Sequence, residues 1–270
     1  MHITYNIMRN YYDVINQYKN MMTRLFLVSF MFSKFYFSSA TCSPSAESSL
    51  QQLIDSNYKD SVDKSPWMGI SVAVFTPDCG ESYFNYGFQN QSSAKVSEDT
   101  IFSLNSMTKV FTGVSLAYLQ TKKRLNLTDH IQPFIPDHHM PVDSVNVKKD
   151  IAFLELATHW AGLTRTPTNL DYDLFEDPYQ TYTDADFFSD LNTYNFTDLH
   201  IGQQYLYSNY GFGLLGYILS DDVRGQSFGE MIRSIILDPL NMSSSALTID
   251  EKVPTFACGH DYDGKVFKTL

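Results

Sequence analysis

Apolar positions along the chain change period several times, and each change marks an element. In residues 48–60, Leu50, Leu53 and Ile54 fall on one side of a helical wheel, which predicts a first helix. Residues 68–75 instead form a run of small and β-branched residues. Thr76-Pro77-Asp78-Cys79-Gly80 then has the composition of a turn, and residues 82–88 return as a second run, so the pair predicts a β-hairpin. Helical spacing comes back with Val110, Phe111, Val114, Ala117 and Tyr118. It predicts a helix to about Lys122, with Asn105 and Ser106 able to cap it. Residues 127–135 form a short element ended by Pro136. Further helices are expected over 151–158, near 184–191, over 210–219 and over 228–236. Residues 164–200 are otherwise rich in Asp, Thr, Tyr and Pro.

This order predicts a mixed α/β (α+β) fold, an antiparallel sheet flanked by helices with a helical subdomain from about residue 110 to 235. A lone hairpin is not independently stable, and residues 266–268 offer the only strand-like stretch in the C-terminal half. Either helices cover the hairpin alone, or the remaining strands lie beyond Leu270. Residues 1–40 read as a signal peptide or N-terminal extension. Met21-Met22-Thr23-Arg24 is a short basic start, residues 25–32 are apolar, and Ser38-Ser39-Ala40 supplies small residues for cleavage. The competing reading is an uncleaved anchor. Residues 41–47 are expected as a polar linker and 48–270 as one domain. The expected location is exported, periplasmic or secreted.

The formal net charge is -11, and residues 1–40 carry four basic residues against one acidic. The remaining surface is therefore strongly acidic, which disfavours nucleic acid and leaves a membrane only an N-terminal anchor or lipid to hold. The 20 Phe and 18 Tyr suit a packed interior and an apolar cleft. Cys42, Cys79 and Cys258 do not stand at metal-ligand spacing. Cys42 follows a faint lipoprotein-like box, and Cys79 with Cys258 would pair only in an oxidising compartment. Adjacent His138 and His139 point apart, so no metal is expected, nor any cofactor. A Ser-His-Asp triad stays open on the sequence alone, although no Gly-x-Ser-x-Gly elbow occurs.

Two short motifs carry chemistry. In Ser106-Met107-Thr108-Lys109, serine and lysine stand one helical turn apart on one face. A serine hydroxyl is a weak nucleophile until a base or a strong local field activates it, and a lysine can supply either. The start of a helix adds positive potential there. In Tyr207-Ser208-Asn209, an extended segment would aim Tyr207 and Asn209 the same way. Tyr207 can relay a proton, and Asn209 can hold a substrate amide or orient Lys109. Each motif alone is common by chance.

Together with their flanks the motifs resemble the serine β-lactamase and penicillin-binding superfamily, and within it class C β-lactamases and related esterases and peptidases. The residues carrying this are 69–74 and Tyr86-Gly87, then 100–113 (TIFSLNSMTKVFTG), 154–163 (LELATHWAGL) and 207–216 (YSNYGFGLLG). Asp238-Pro239-Leu240-Asn241-Met242 and Ala257-Cys258-Gly259-His260 close the series. The resemblance implies that Ser106 attacks a β-lactam or related carbonyl to form an acyl-enzyme. Lys109 and Tyr207 would manage its proton, the Ser106 N–H would form half of an oxyanion hole, and Asn209 would contact the substrate's side-chain amide. The implied partner is a small β-lactam, ester or peptidoglycan-peptide substrate. His159 falls in the family's Thr-His segment and reads as structural. Two departures stand out. The family's third motif, Lys-Thr-Gly or His-Thr-Gly, is absent, because Lys268-Thr269-Leu270 comes too early and lacks the glycine. Arg165, Thr166 and Asn169 occupy the region where class C enzymes place a glutamine. Three readings follow: a class C β-lactamase-like hydrolase incomplete at its C-terminus, a carboxylesterase or D-alanyl-D-alanine carboxypeptidase of the same fold, or an inactive truncated remnant.

Overall fold

A computed structural model describes residues 44–64, 68–76, 80–89, 94–135, 151–171, 179, 181–193, 201–248 and 256–259. The expected leader, Cys42, Cys79, the His138-His139 pair and residues 266–268 lie outside the described residues. Among the described residues no helix is long and apolar enough to cross a membrane.

The chain divides into two compact units. One comprises residues 1–56 with 72–84, the other 57–71 with 85–270. Helix α1, Pro44–Asp63, begins inside the stretch expected as a linker; proline is favoured in a first helical turn, where its missing N–H goes unused. Strands β1, Gly69–Thr76, and β2, Gly80–Gly87, pair as the expected hairpin in a two-stranded sheet. Ser71, Ala73 and Phe75 are exposed and alternate with half-covered neighbours, as a pleated strand requires. Gly87 ends the hairpin at φ +72°, and a Cβ there would lie 1.9 Å from the Met68 carbonyl oxygen, so only glycine fits.

After β2 the chain folds back through a Phe88–Lys95 bridge and the buried Gln89, whose amide donates to the Lys95 carbonyl at 2.9 Å and to Thr100 Oγ1 at 3.1 Å. Ile101 then pairs in parallel with Phe256, and Ala257 N–H donates to the Ile101 carbonyl at 2.9 Å. Residues 256–259 thus run beside the approach to Ser106.

The helical subdomain is present. It contains α2, Thr108–Thr121; α3, Phe153–Ala157; α4, Asp184–Thr193; α5, Asn209–Tyr217; and α6, Phe228–Ile232. π-helical turns at Ile218–Asp222 and Arg233–Leu237 continue α5 and α6. One apolar core joins them, with Leu119, Phe153, Leu156, Leu163, Leu214 and Met231 almost fully enclosed. The buried side of α2 differs from the expected stripe. Thr112, Ser115, Leu116 and Leu119 face inward, whereas Val110 and Val114 are 54% and 44% exposed. The inward hydroxyls are satisfied within the helix, Thr112 donating to the Thr108 carbonyl at 3.4 Å and Ser115 to that of Phe111 at 3.0 Å. Burying them therefore leaves no donor unpaired.

Candidate active site

Ser106 sits in a 3-10 turn, Asn105–Met107, that leads directly into α2. The expected capping role is absent, for neither Asn105 nor Ser106 closes the helix start with its side chain. Asn105 adopts φ +45°, a left-handed conformation that asparagine tolerates better than most residues. With its hydroxyl not engaged as a cap, Ser106 accepts a hydrogen bond from Lys109 Nζ at 3.2 Å and another from the Tyr207 hydroxyl at 2.8 Å. Lys109 also donates to Asn209 Oδ1 at 2.7 Å. All four residues singled out by the sequence, Ser106, Lys109, Tyr207 and Asn209, therefore meet at one place. Of the two readings of Asn209, this geometry has it orienting Lys109.

The Tyr207–Asn209 segment is tied down from several sides. Ser208 caps α5, its Oγ accepting from Gly211 N–H at 2.8 Å while donating to the Thr164 carbonyl at 2.6 Å. The Arg165 carbonyl accepts from Asn209 N–H at 2.8 Å. His159 lies on the other side at φ +63°. Its Nδ1 accepts from Ser208 N–H at 3.0 Å, and its carbonyl accepts from Leu206 N–H at 2.8 Å.

The surroundings make Tyr207 easier to deprotonate than an isolated tyrosine. Its phenol is held below the ordinary tyrosine range, first by hydrogen bonding to Lys109, then by the Ser106 hydroxyl and, more weakly, by the nearby charges of Lys109 and Arg165. Both cations also stand over the Tyr207 ring, Lys109 Nζ 4.9 Å and the Arg165 guanidinium carbon 5.2 Å from its centroid. His159 is pushed below its usual value, by burial first and then by the Lys109 charge. Ser106 itself is exposed, so a carbonyl can reach it from solvent.

Beside Ser103 and Asn105 a cleft of about 200 Å³ opens between Gly69, Phe88, Phe102 and Cys258. A larger hollow of about 470 Å³ lies along α4 and contains none of the four site residues. Among the described residues, no group of three or more His, Cys, Asp and Glu side chains is placed to hold a metal ion. Asn169, in the region where class C enzymes place a glutamine, is engaged elsewhere: its Oδ1 accepts from the Tyr182 hydroxyl at 2.7 Å and its Nδ2 donates to the Asp186 carbonyl at 2.8 Å. Sequence reasoning missed two contributors, Arg165 over the Tyr207 ring and the acceptor role of His159. No periodicity signals either, since each reaches across more than forty residues of chain; the Thr-His segment of the resemblance was the one available pointer.

Residues 59–267 match the family described as Beta-lactamase. A beta-lactamase of Lysobacter lactamgenus is 28% identical over 199 residues, covering 73% of this chain and 47% of that protein. The chain spans about half the length of the curated relatives it matches. Among solved structures, a class C beta-lactamase in complex with cefoxitin superposes with a TM-score of 0.69 at 23% identity, covering 83% of this chain and 59% of the other. A beta-lactamase/D-alanine carboxypeptidase from Pseudomonas syringae superposes with a TM-score of 0.67 at 21% identity, covering 82% of this chain and 58% of the other. These likenesses establish the fold.

Proposed function

Since the chain belongs to the beta-lactamase family, we propose that it is a serine hydrolase acting through an acyl-enzyme at Ser106 on β-lactam or related amide and ester carbonyls. The observation that carries this reading is the convergence of Lys109 Nζ and the Tyr207 hydroxyl on Ser106 Oγ, at 3.2 and 2.8 Å. With Tyr207 as phenolate, the same 2.8 Å contact runs in the opposite sense, and the phenolate takes the serine proton. Ser106 Oγ bonds to the carbonyl carbon, and the Ser106 N–H supports the developing oxyanion. The C–N or C–O bond then breaks, and Tyr207 returns the proton to the departing nitrogen or oxygen. Water cleaves the acyl-enzyme by the reverse proton movements. Asn209 keeps Lys109 against the serine throughout, and the Lys109 charge keeps the phenolate available.

Export through the N-terminal stretch is part of the proposal, supported by its basic start, apolar run and small residues. A second reading, a D-alanine carboxypeptidase, is favoured by the likeness to the beta-lactamase/D-alanine carboxypeptidase from Pseudomonas syringae.

The test is incubation of the full chain with nitrocefin, p-nitrophenyl butyrate and a D-Ala-D-Ala peptide, followed by intact mass. We expect one acyl adduct on Ser106, none on Ser106→Ala, and an acylation rate lowered about 10²- to 10⁴-fold in Tyr207→Phe. Dominant turnover of the peptide would select the second reading. An adduct that persists in Ser106→Ala would refute the assignment of the nucleophile.

A further inference from the structure

We propose that His159, in its neutral form, is the positioning residue that holds Tyr207 and Asn209 against Ser106 and Lys109, and that a second proton on its ring releases that hold. The inference deepens the hydrolase reading of this site and rests on it.

The argument begins with one hydrogen bond. Ser208 lies between Tyr207, which reaches Ser106, and Asn209, which reaches Lys109, and its backbone N–H donates to His159 Nδ1 at 3.0 Å. An acceptor nitrogen must carry a lone pair, so the ring is the tautomer protonated on Nε2. Adding a proton at Nδ1 would set two N–H groups against each other. The contact would then change from attraction to repulsion at the centre of the Tyr207–Asn209 segment.

The main chain reinforces the same hold. The His159 carbonyl accepts from Leu206 N–H, and the Trp160 carbonyl from Gly202 N–H, both at 2.8 Å. These contacts follow from the left-handed turn at His159, φ +63°, a conformation in which histidine is over-represented among non-glycine residues. The imidazole lies 4.5 Å from the Tyr207 ring, 4.9 Å from Phe212 on α5 and 5.7 Å from Tyr205. A shift of this ring therefore moves the phenol that meets Ser106.

The surroundings favour the neutral ring. Lys109 on α2 is the charged group that bears on it, and burial acts in the same direction. Tyr205 and Tyr207 present phenols from the neighbouring segment, Arg165 stands over the Tyr207 ring, and α5 presents Phe212. No carboxylate among the described residues acts on the imidazole. Protonation is thus expected below the ordinary histidine value of 6.5. Because the folded state binds this proton less readily than the unfolded one, the hold is complete above pH 6.5 and is lost as pH falls through the folded value.

The experiment compares full-chain wild type, His159→Ala and His159→Asn in the acylation of Ser106 by p-nitrophenyl butyrate at saturating ester, from pH 4.5 to 8. Asparagine offers an amide oxygen near the position of Nδ1, tolerates positive φ and does not titrate. We expect His159→Ala to slow acylation about 10- to 100-fold with little change in half-saturating ester, as a misplaced reacting group does. His159→Asn should recover most of that loss and show an acid limb that differs from that of wild type, keeping the ionisation of Tyr207 and lacking that of His159. Nitrogen-15 NMR of the wild-type imidazole should show a proton on Nε2 alone at pH 7. An unchanged rate in His159→Ala, or the same acid limb in His159→Asn, overturns the inference and leaves the hydrolase reading standing. Absence of any Ser106 adduct in wild type at every pH overturns both.

Discussion

Tyr207 and Tyr182 show how two copies of one residue type diverge with their neighbours. Tyr182 is pushed up to about 12, by burial first and then by the charge of Asp190, whereas hydrogen bonding to Lys109 pulls Tyr207 below the usual value of 10.0. In a pH titration followed by carbon-13 NMR of the tyrosine Cζ, Tyr207 should ionise before Tyr182. Replacing Lys109 with methionine should move the Tyr207 transition upward. If that transition stays in place, Lys109 does not supply the stabilisation assigned to it. That Ser106, Lys109, Tyr207 and Asn209 would stand out was legible in the sequence, because their residue types and flanking motifs single them out, and the structure brings the four together. The supporting residues were not. What His159 does depends on a left-handed backbone turn, and what Arg165 does depends on where its guanidinium lies over a ring 42 residues away in sequence. Neither a turn of one residue nor a contact across that distance leaves a periodic trace.

At the scale of elements, hydrophobic period identified the hairpin and the succession of helices but assigned part of α2 to the wrong side. Val110 and Val114 lie open while Thr112 and Ser115 lie inside, because a hydroxyl bonded to the carbonyl one turn back becomes acceptable in a core. Residue types alone do not reveal that pairing. The π-helical turns after α5 and α6 likewise extend the helical path in a way no 3.6-residue pattern anticipates. Ser208 lies where element and site meet. It caps α5 through Gly211 N–H and binds the Thr164 carbonyl, and it is 3% exposed. Ser208→Ala should lower stability by about 1 to 2 kcal/mol, measured by urea unfolding, with Ser208→Thr closer to wild type because threonine also caps. A Ser208→Ala protein as stable as wild type would show that the backbone contacts of His159 and Arg165 hold the segment without this cap.

On the scale of the whole chain, the four clustered side chains come from two widely separated stretches. The Lys109–Asn209 and Ser106–Tyr207 contacts join residues 100 and 101 positions apart. The helices between and around them are built mostly from local hydrogen bonds, whereas these two contacts need a long loop to close first. Closing it has an entropic cost that local contacts cannot offset in advance. After dilution from denaturant, helical circular dichroism should therefore return in an earlier phase than the reactivity of Ser106 toward an activated ester; simultaneous recovery would contradict this ordering. The same separation has a consequence for time rather than for space: if helix returns first, there is an interval after folding begins in which the chain is helical yet Ser106 is not reactive.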